Sequence, residues 1–285
     1  MRTASPLRYP GGKESMTSLL RETRRLNDIE GLDLAEPFAG GAGASLSLLF
    51  NGDAPRIRIN DADEAIHDFW WSILHRTAEF GRMIDKVPLS IEEWKRQRAI
   101  YREPGRASRL RRGFAAFYLN RTNRSGILLK GGPIGGLEQA GAWELDARFN
   151  RDGLKQRIQR VADHRRRVSL SSMDGLALLD ECDHEQTFWF IDQPYFHKGE
   201  TLYLNSLDVS YHQRLADRLK LMPDAAWVVT YDDCPEIRAM YHGWATVREF
   251  GLRYVANERR SGREVMITPH WMKLPEAQTS GTITW

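Results

Sequence analysis

Apolar runs and amphipathic segments alternate over the first part of the chain. Residues 32–35 and 56–59 have the short apolar or strictly alternating pattern of β-strands. Residues 16–26, 44–50 and 65–74 instead repeat their apolar side chains at helical spacing. Strands that alternate with helices in this way predict βαβ units and a mostly parallel sheet.

The alternation stops at about residue 77 and resumes at about residue 167. Between these points the pattern is helical, with a glycine-rich loop at residues 131–136; the predicted helices are residues 91–101, 106–120 and 154–161. Strand character returns at residues 168–170, 187–191, 226–231, 246–250 and 264–268, with a helix around Leu215 ahead of the third of these. The pattern predicts an α/β chain, in which a Rossmann-like sheet domain of residues 1–76 and 167–285 is interrupted by a helical insertion, residues 77–166.

The composition is that of an ordinary globular protein, with 41% hydrophobic and 28% charged residues in a chain of 285. No apolar run approaches the roughly 18 residues of a membrane span, and the N-terminus has no apolar signal segment. Cys182 and Cys234 lack C-x-x-C spacing, and the eight histidines form no ligand cluster. We therefore expect a cytoplasmic protein with reduced thiols, without membrane contact and without a metal site.

A glycine-rich turn lies between the first predicted strand and the following helix. It consists of Glu36, Pro37, Phe38, Ala39, Gly40, Gly41, Ala42 and Gly43. Glycines there let the backbone approach a ligand closely, and Asp61, after the second strand, is placed to accept from a ribose hydroxyl. A tight turn without a ligand is the alternative, and the dinucleotide fingerprint is incomplete because Leu46 replaces its third small residue. Turn and acid together indicate a nucleoside cofactor, either a nicotinamide dinucleotide or S-adenosylmethionine.

The most specific chemical signal follows the buried strand that ends at Ile191. The chain continues with an acid, a stiff turn and two aromatic rings: Asp192, Gln193, Pro194, Tyr195 and Phe196. At the edge of a sheet these groups suit a planar base whose exocyclic amine must be held and activated. An acid that caps a helix and aromatic side chains of the core are the plainer alternatives.

Several motifs occur in a fixed order over nearly the whole chain. They are Pro10-Gly11-Gly12-Lys13, Glu36-Pro37-Phe38 with its glycines, Asn60-Asp61, a helical insert that ends near the segment Asn120 to Gly126, Asp192-Gln193-Pro194-Tyr195, and Arg263-Glu264-Val265. In this order they resemble the D12-class, Dam-like family of adenine-N6 DNA methyltransferases. The chain departs from that family at Gln193, where the family has a first proline.

The resemblance implies a Rossmann-like methyltransferase sheet with a helical DNA-recognition insertion. It also implies S-adenosylmethionine as cofactor and adenine N6 of double-stranded DNA as substrate. The cofactor-binding residues that it implies are Tyr9, Gly12, Lys13, Glu36, Pro37, Phe38, Gly40, Gly41, Asp61, Asp174 and Asp192. A solvated lysine beside a turn is the alternative for Lys13, and a helix N-cap is the alternative for Asp174.

The same resemblance makes Asp192, Gln193, Pro194 and Tyr195 the catalytic residues. Each N–H of the adenine amine would donate to a fixed acceptor, either the Asp192 carboxylate or the backbone carbonyl of residue 193. Tyr195 would stack on the base, which must first be flipped out of the duplex. Gln193 lacks the fixed φ of proline, although Pro194 keeps it extended, so a normal, slow or absent rate is expected.

Arginines and lysines concentrate in the predicted insertion, and acids are sparse between residues 105 and 130. Cations without local counter-charges favour phosphate contacts, whereas a solvated helix face is the plainer explanation. The candidate DNA-binding residues are Arg112, Asn120, Arg121, Asn123, Arg124 and Lys198. Asparagine and arginine are suited to base edges but also to turns and caps, so both roles stay open. Residues 197–199 are expected to close beside the flipped base, and Arg259, Arg260 and Arg263 to add phosphate contacts.

Three other functions remain alternatives. The chain could bind cofactor and DNA with weak or no activity because of Gln193, or it could methylate RNA or a protein amide. A nicotinamide oxidoreductase explains neither Asp192 nor the arginines. A role in restriction-modification, regulation or phage defence, the recognition sequence and the oligomeric state do not follow from the sequence.

Overall fold

A twisted, mostly parallel sheet forms the centre of the protein. The computed structural model describes residues 3–8, 12–103, 105, 107–196, 207–252, 263–276 and 283–284. The strands in these ranges are β1 (Asp33–Glu36), β2 (Ile57–Asn60), β3 (Val168–Ser171), β4 (Thr187–Ile191), β5 (Ala226–Asp232), β6 (Ala245–Leu252), β7 (Arg263–Pro269) and β8 (Ile283–Thr284). Their order is β3-β2-β1-β4-β5-β7-β6-β8. The first five are parallel, whereas β7, β6 and β8 pair antiparallel.

Helices connect the strands and fill the interval between β2 and β3. Within the described ranges they are α1 (Thr17–Leu26), α2 (Gly43–Asn51), α3 (Glu64–His75), α4 (Thr77–Lys86), α5 (Ile91–Arg102), α6 (Arg109–Thr122), α7 (Arg151–Asp163), α8 (Gly175–Glu181), α9 (Val209–Lys220) and α10 (Pro235–Tyr241). The predicted α/β architecture with a Rossmann-like sheet is confirmed. The sequence did not predict α4, α8 or α10, of which the last two are only seven residues long.

The two faces of the sheet belong to two apolar clusters, because successive strand residues point to opposite faces. Leu34, Phe188 and Phe190 contribute to one cluster, and Ala35 and Trp189 to the other. The first cluster also contains aromatic residues of α3 and α6. The helices between β2 and β3 thus share a core with the sheet, and a domain boundary at residues 77 and 166 stays a prediction. In the described ranges, no helix has the length and apolar character needed to cross a membrane.

Candidate active site

A cavity of about 360 Å³ opens at the carboxyl ends of β1, β2 and β4. The strand order reverses between β1 and β4, and parallel sheets of this type bind ligands outside the carboxyl ends at that point. Of the residues predicted to act, the cavity wall contains Gly12, Lys13, Glu36, Phe38, Gly40, Gly41, Asp61, Asp174, Asp192 and Pro194. Pro37, Gln193 and Tyr195 are not part of this wall. Tyr9 lies outside the described residues.

The glycine-rich turn is held by side chains from the next strand and helix. Gly40 has a φ of +46°, a region that glycine enters without steric cost. Its N–H donates to Asp61 Oδ2 over 2.8 Å, and its carbonyl accepts from Trp70 Nε1 over 3.0 Å. Asp61 therefore orders the turn as well as bordering the cavity. Trp70 was not predicted to support the site, because an apolar helix residue gives no sign of its polar contact.

Desolvation raises the pKa of three carboxyl groups in the cavity wall, those of Glu36, Asp61 and Asp63. The pKa of Asp61 rises to about 7, with the neighbouring Asp63 adding to the effect. The pKa of Glu36 rises to about 8, although the Ser45 hydroxyl donates to Glu36 Oε2 and opposes the shift. The charges of Asp192 and Asp61 raise it further. Acidic groups so placed favour a positively charged ligand, whose binding stabilises their ionised forms.

Lys13 is buried at the centre of an ion group rather than solvated, which corrects the alternative interpretation of this residue. Only 4% of Lys13 is exposed, and its Nζ lies 3.1 Å from Asp192 Oδ1 and 3.5 Å from Glu264 Oε2. The same Nζ donates to the Tyr195 hydroxyl over 2.5 Å. The N-terminal loop and the end of β4 are thus joined through one cation. The sequence placed Lys13 near the cofactor but did not indicate its pairing with Asp192.

The residues after β4 are held by β5. The Thr230 hydroxyl donates to Asp192 Oδ1 over 2.5 Å. Gln193 is only 2% exposed, and its Nε2 donates to the Thr230 carbonyl over 2.9 Å. Its Oε1 has no hydrogen-bond partner within the described part of the chain. Gln193 therefore turns its side chain toward the sheet, and Thr230 is a contributor that the sequence did not reveal.

Asp174 is a helix N-cap that also borders the cavity, and its contact with a cofactor stays a prediction. Its Oδ1 accepts from the N–H of Leu176 at the start of α8, over 3.0 Å, as an N-cap does. Its Oδ2 accepts from the Tyr211 hydroxyl over 2.9 Å, and both residues line the cavity. At the same end of the cavity, a Cβ on Gly175 would lie 2.3 Å from the Phe38 ring. Only glycine fits against that ring.

Two of the predicted DNA-binding residues, Asn120 and Asn123, are internal supports, so base contact by them is corrected. The buried Asn120 amide is bonded to the N–H and carbonyl of Arg8 and to the carbonyl of Gly126. The Asn123 amide accepts from Trp94 Nε1 and donates to the Ile127 carbonyl. Their amides already use donors and acceptors that a base edge would need.

Arg109, Arg112 and Arg121 of α6 also have partners, and for Arg109 and Arg112 the partner is a counter-charge, contrary to expectation. Arg112 Nε lies 2.6 Å from Asp68 Oδ2, and Arg109 Nε lies 3.1 Å from Asp68 Oδ1. Arg121 is buried and donates twice to the Arg148 carbonyl, and desolvation lowers its pKa to about 9. Asp68 is distant in sequence, which is why a local count of acids missed it.

Arg124 is exposed and stays a candidate for DNA contact. Lys198, Arg259 and Arg260 lie outside the described residues, as do the side chain of Arg263 and the predicted loop at residues 197–199. Within the described ranges, no group of three or more acidic, histidine or cysteine side chains is arranged to hold a metal ion.

The donor set of the cavity fits S-adenosylmethionine better than a dinucleotide. Glu36, Asp61 and Asp192 would face its sulfonium, ammonium and ribose groups, whereas they would repel a pyrophosphate. The Gly40 N–H, which a phosphate would need, already donates to Asp61. The incomplete dinucleotide fingerprint and the geometry of the turn therefore both argue against a dinucleotide.

Comparison with known proteins adds little beyond the fold. No protein-family model matches the chain, and no curated protein matches it. Among solved structures, the rRNA methyltransferase AviRa from Streptomyces viridochromogenes is similar at 14% sequence identity and a TM-score of 0.37. The match covers 91% of this chain and 85% of that one.

Proposed function

We propose that this chain is an S-adenosylmethionine-dependent methyltransferase that acts on adenine N6 in double-stranded DNA. The observation that carries the proposal is the position of Asp192. Its carboxylate follows β4, borders the same cavity as the glycine-rich turn, and is held at Oδ1 by Thr230 and Lys13. A fixed carboxylate beside a nucleoside-sized cavity is what an exocyclic amine requires as an acceptor.

The chain's own residues position the amine and accept its hydrogen bonds. Thr230 and Lys13 both approach Oδ1, and we assign Oδ2 as the acceptor for one N–H of adenine. The carbonyl of Gln193 is the proposed second acceptor, and Tyr195 the stacking surface. The bound cofactor supplies a methyl carbon: the N6 lone pair forms the N–C bond, and the C–S electron pair returns to sulfur. The surplus N6 proton then leaves through Asp192 to solvent, and catalysis rests on alignment.

The DNA part of the proposal rests on the surface around Arg124. Arg124 and Lys130 are exposed and lie next in sequence to, or close to, residues 126–129, which line the cavity. Positive side chains at the mouth of a nucleobase cavity favour a phosphate backbone there. An adenine flipped out of the duplex would then reach Asp192.

Methyl transfer to defined duplexes tests the proposal. Purified protein, S-adenosylmethionine and adenine-containing DNA should give N6-methyladenine, with each modified position mapped by sequencing. Asp192→Ala should lower the rate at least about 100-fold, because a fixed acceptor is lost. Asp224→Ala, an exposed acid outside the cavity wall, is the matched control. Cofactor binding without methylation of any duplex would contradict the proposal, and preferential methylation of RNA would show a different substrate class.

One observation favours a second candidate, a cofactor- and DNA-binding protein with little activity. Gln193 replaces the proline that the resembling family has next to its catalytic acid. Loss of backbone restraint can misplace a reacting group, and a misplacement of about 1 Å can cost about 100-fold in rate. Comparison of the wild-type chain with Gln193→Pro separates the two candidates, since only a crippled enzyme gains strongly from proline.

A further inference from the structure

We infer that Thr230 and Gln193 are positioning residues, which together hold the Asp192 carboxylate in place of a proline ring. The inference rests on the proposed function, because the purpose of the restraint is to align Asp192 with a substrate amine. Thr230 acts through its hydroxyl and Gln193 through its side-chain amide. Neither residue is part of the cavity wall.

The register of the sheet explains why one threonine reaches both residues. Strands β4 and β5 are parallel, and their last paired residues are Ile191 and Val229. The next positions are Asp192, just past the end of β4, and Thr230, still within β5, so the two residues lie side by side. There the Thr230 hydroxyl meets Asp192 Oδ1 over 2.5 Å, and its carbonyl meets Gln193 Nε2 over 2.9 Å.

The Gln193 bond restrains the segment that a proline would otherwise restrain through its ring. Proline fixes φ at about −65° and removes one rotational freedom from the backbone. Gln193 has no ring, but its buried amide fixes the residue to β5 from the side chain. Pro194 follows directly and disfavours the helical region for Gln193. The side-chain hydrogen bond to β5 and the proline that follows therefore both restrict the conformation of Gln193.

The unsatisfied oxygen of Gln193 indicates that stability alone does not account for this residue. Gln193 Oε1 is buried and has no hydrogen-bond partner within the described part of the chain. An unpaired buried acceptor is destabilising, and an apolar side chain of similar volume would remove it. Gln193→Leu removes this acceptor but also takes the donor from the Thr230 carbonyl, so the two effects offset and thermal stability should change little while the tether to Thr230 is broken. If Gln193 served only stability, Gln193→Leu would instead lower thermal stability and leave kcat unchanged.

The kinetic test compares variants that remove and restore each contact. Thr230→Val removes the hydroxyl but keeps the β-branched shape and the backbone carbonyl, and should lower kcat by about 10- to 100-fold. Thr230→Ser restores the donor and should recover most of that loss. Gln193→Leu should lower kcat by about tenfold, and Gln193→Pro, in which a ring replaces the side-chain hydrogen bond as the restraint, should recover most of that loss. Thr268→Val, a buried threonine of the same sheet on β7, is the matched control and should leave kcat unchanged.

Cofactor affinity and the KM for DNA should stay within about twofold in all these variants, because neither residue lines the cavity. Full kcat in Gln193→Leu, or equal losses in Thr230→Val and Thr230→Ser, would overturn the inference. So would a loss in Gln193→Pro as large as that in Gln193→Leu.

Crystal structures of the variants provide a readout that needs no turnover. The Asp192 carboxylate should move or become disordered in Thr230→Val and in Gln193→Leu, and should keep its place in Gln193→Pro. An unmoved carboxylate in Thr230→Val and Gln193→Leu would overturn the inference. If the carboxylate moves as expected but wild type and Gln193→Pro both lack methyl transfer, the proposed function fails while the restraint stands.

Discussion

Lys13 provides the positive charge that balances nearby acidic side chains of the site. It is the cation within reach of Asp192 and Glu264, and it also contacts the Tyr195 hydroxyl. Two buried carboxylates near one another disfavour each other's ionised forms, and a buried ammonium between them compensates that repulsion. This ion group thus links the N-terminal loop to the end of β4 and to β7. Each of its charged side chains would be costly to bury alone.

Replacing this lysine tests how much the ion group stabilises the fold. Lys13→Met keeps the length of the side chain but leaves the two carboxylates without their cation. We expect the free energy of unfolding to fall by about 3 kcal/mol, near the lower end for a broken buried pair. The lower end applies because the Asp192 side chain keeps 19% of its surface exposed. Urea denaturation at neutral pH measures the change.

Lys155→Met is the matched control for this prediction. Lys155 also contacts two carboxylates, Asp85 and Asp152, but all three lie at the surface, where ion pairs contribute little. The midpoint of unfolding should therefore stay close to that of the wild type. Equal midpoints for the two lysine variants would show that the buried group adds no stability.

The residues of the site were predictable where strand ends determine their position. Glu36 is the last residue of β1, and Asp61 and Asp192 directly follow β2 and β4. The carboxyl ends of such parallel strands meet at one edge of the sheet. The side chains whose roles were predicted wrongly, or not at all, make contacts with residues that are distant in the sequence. Asn120 is bonded to Arg8, 112 positions earlier, and Thr230 meets Asp192 across 38 positions. Local sequence patterns carry no signal for such partners.

At the scale of elements, the crossing of α3 and α6 joins the predicted insertion, residues 77–166, to the helix that follows β2. Phe69 of α3 stacks on Phe117 of α6, with 5.8 Å between ring centroids. A Cβ on Gly113 would lie only 2.4 Å from the Asp68 carbonyl, so the two backbones touch at this glycine. Arg109 and Arg112 of α6 then pair with the Asp68 carboxylate. Periodicity predicted both helices, but it could not predict which residue lets them approach.

Gly113→Ala should destabilise the protein, because its new methyl group overlaps the backbone of α3. Overpacking of this kind typically costs about 1–3 kcal/mol, which outweighs the helix propensity of alanine. Gly81→Ala in α4 has nothing within 4 Å of the new Cβ and should instead stabilise by about 0.5–1 kcal/mol. Thermal unfolding of both variants measures the opposite signs. A stabilising Gly113→Ala would show that α3 and α6 do not cross as closely as described.

At the scale of the whole molecule, acidic and basic side chains concentrate in different regions. The chain carries a formal net charge of +3, yet the cavity wall contains Glu36, Asp61, Asp63, Asp174 and Asp192 against the cation Lys13. Exposed cations such as Arg124 and Lys130 lie outside that wall. The proposed cationic cofactor and the proposed duplex would therefore have separate complementary regions. The small net charge of the sequence conceals this separation.

The raised pKa values of Glu36 and Asp61 give the unliganded protein a defined pH dependence. The folded chain holds these two protons up to about pH 8 and about pH 7, whereas the unfolded chain releases them near 4.5 and 3.8. Between those limits the folded state binds more protons than the unfolded state, so stability falls as the pH rises. The contribution is fully present below the unfolded values and lost above the folded ones.

Binding of S-adenosylmethionine should have the opposite pH dependence and release protons. A cation in the cavity favours the ionised carboxylates, so its affinity should rise between pH 6 and 8.5, by up to about tenfold per pH unit for each proton released. Titration calorimetry in buffers of different ionisation enthalpy measures that number of protons. S-adenosylhomocysteine, which lacks the sulfonium charge, should show a shallower rise. In Glu36→Gln the release above pH 7 should largely disappear, because the group with a pKa of about 8 is absent. An affinity for both ligands that is independent of pH would contradict a role for the cavity acids in holding a cation.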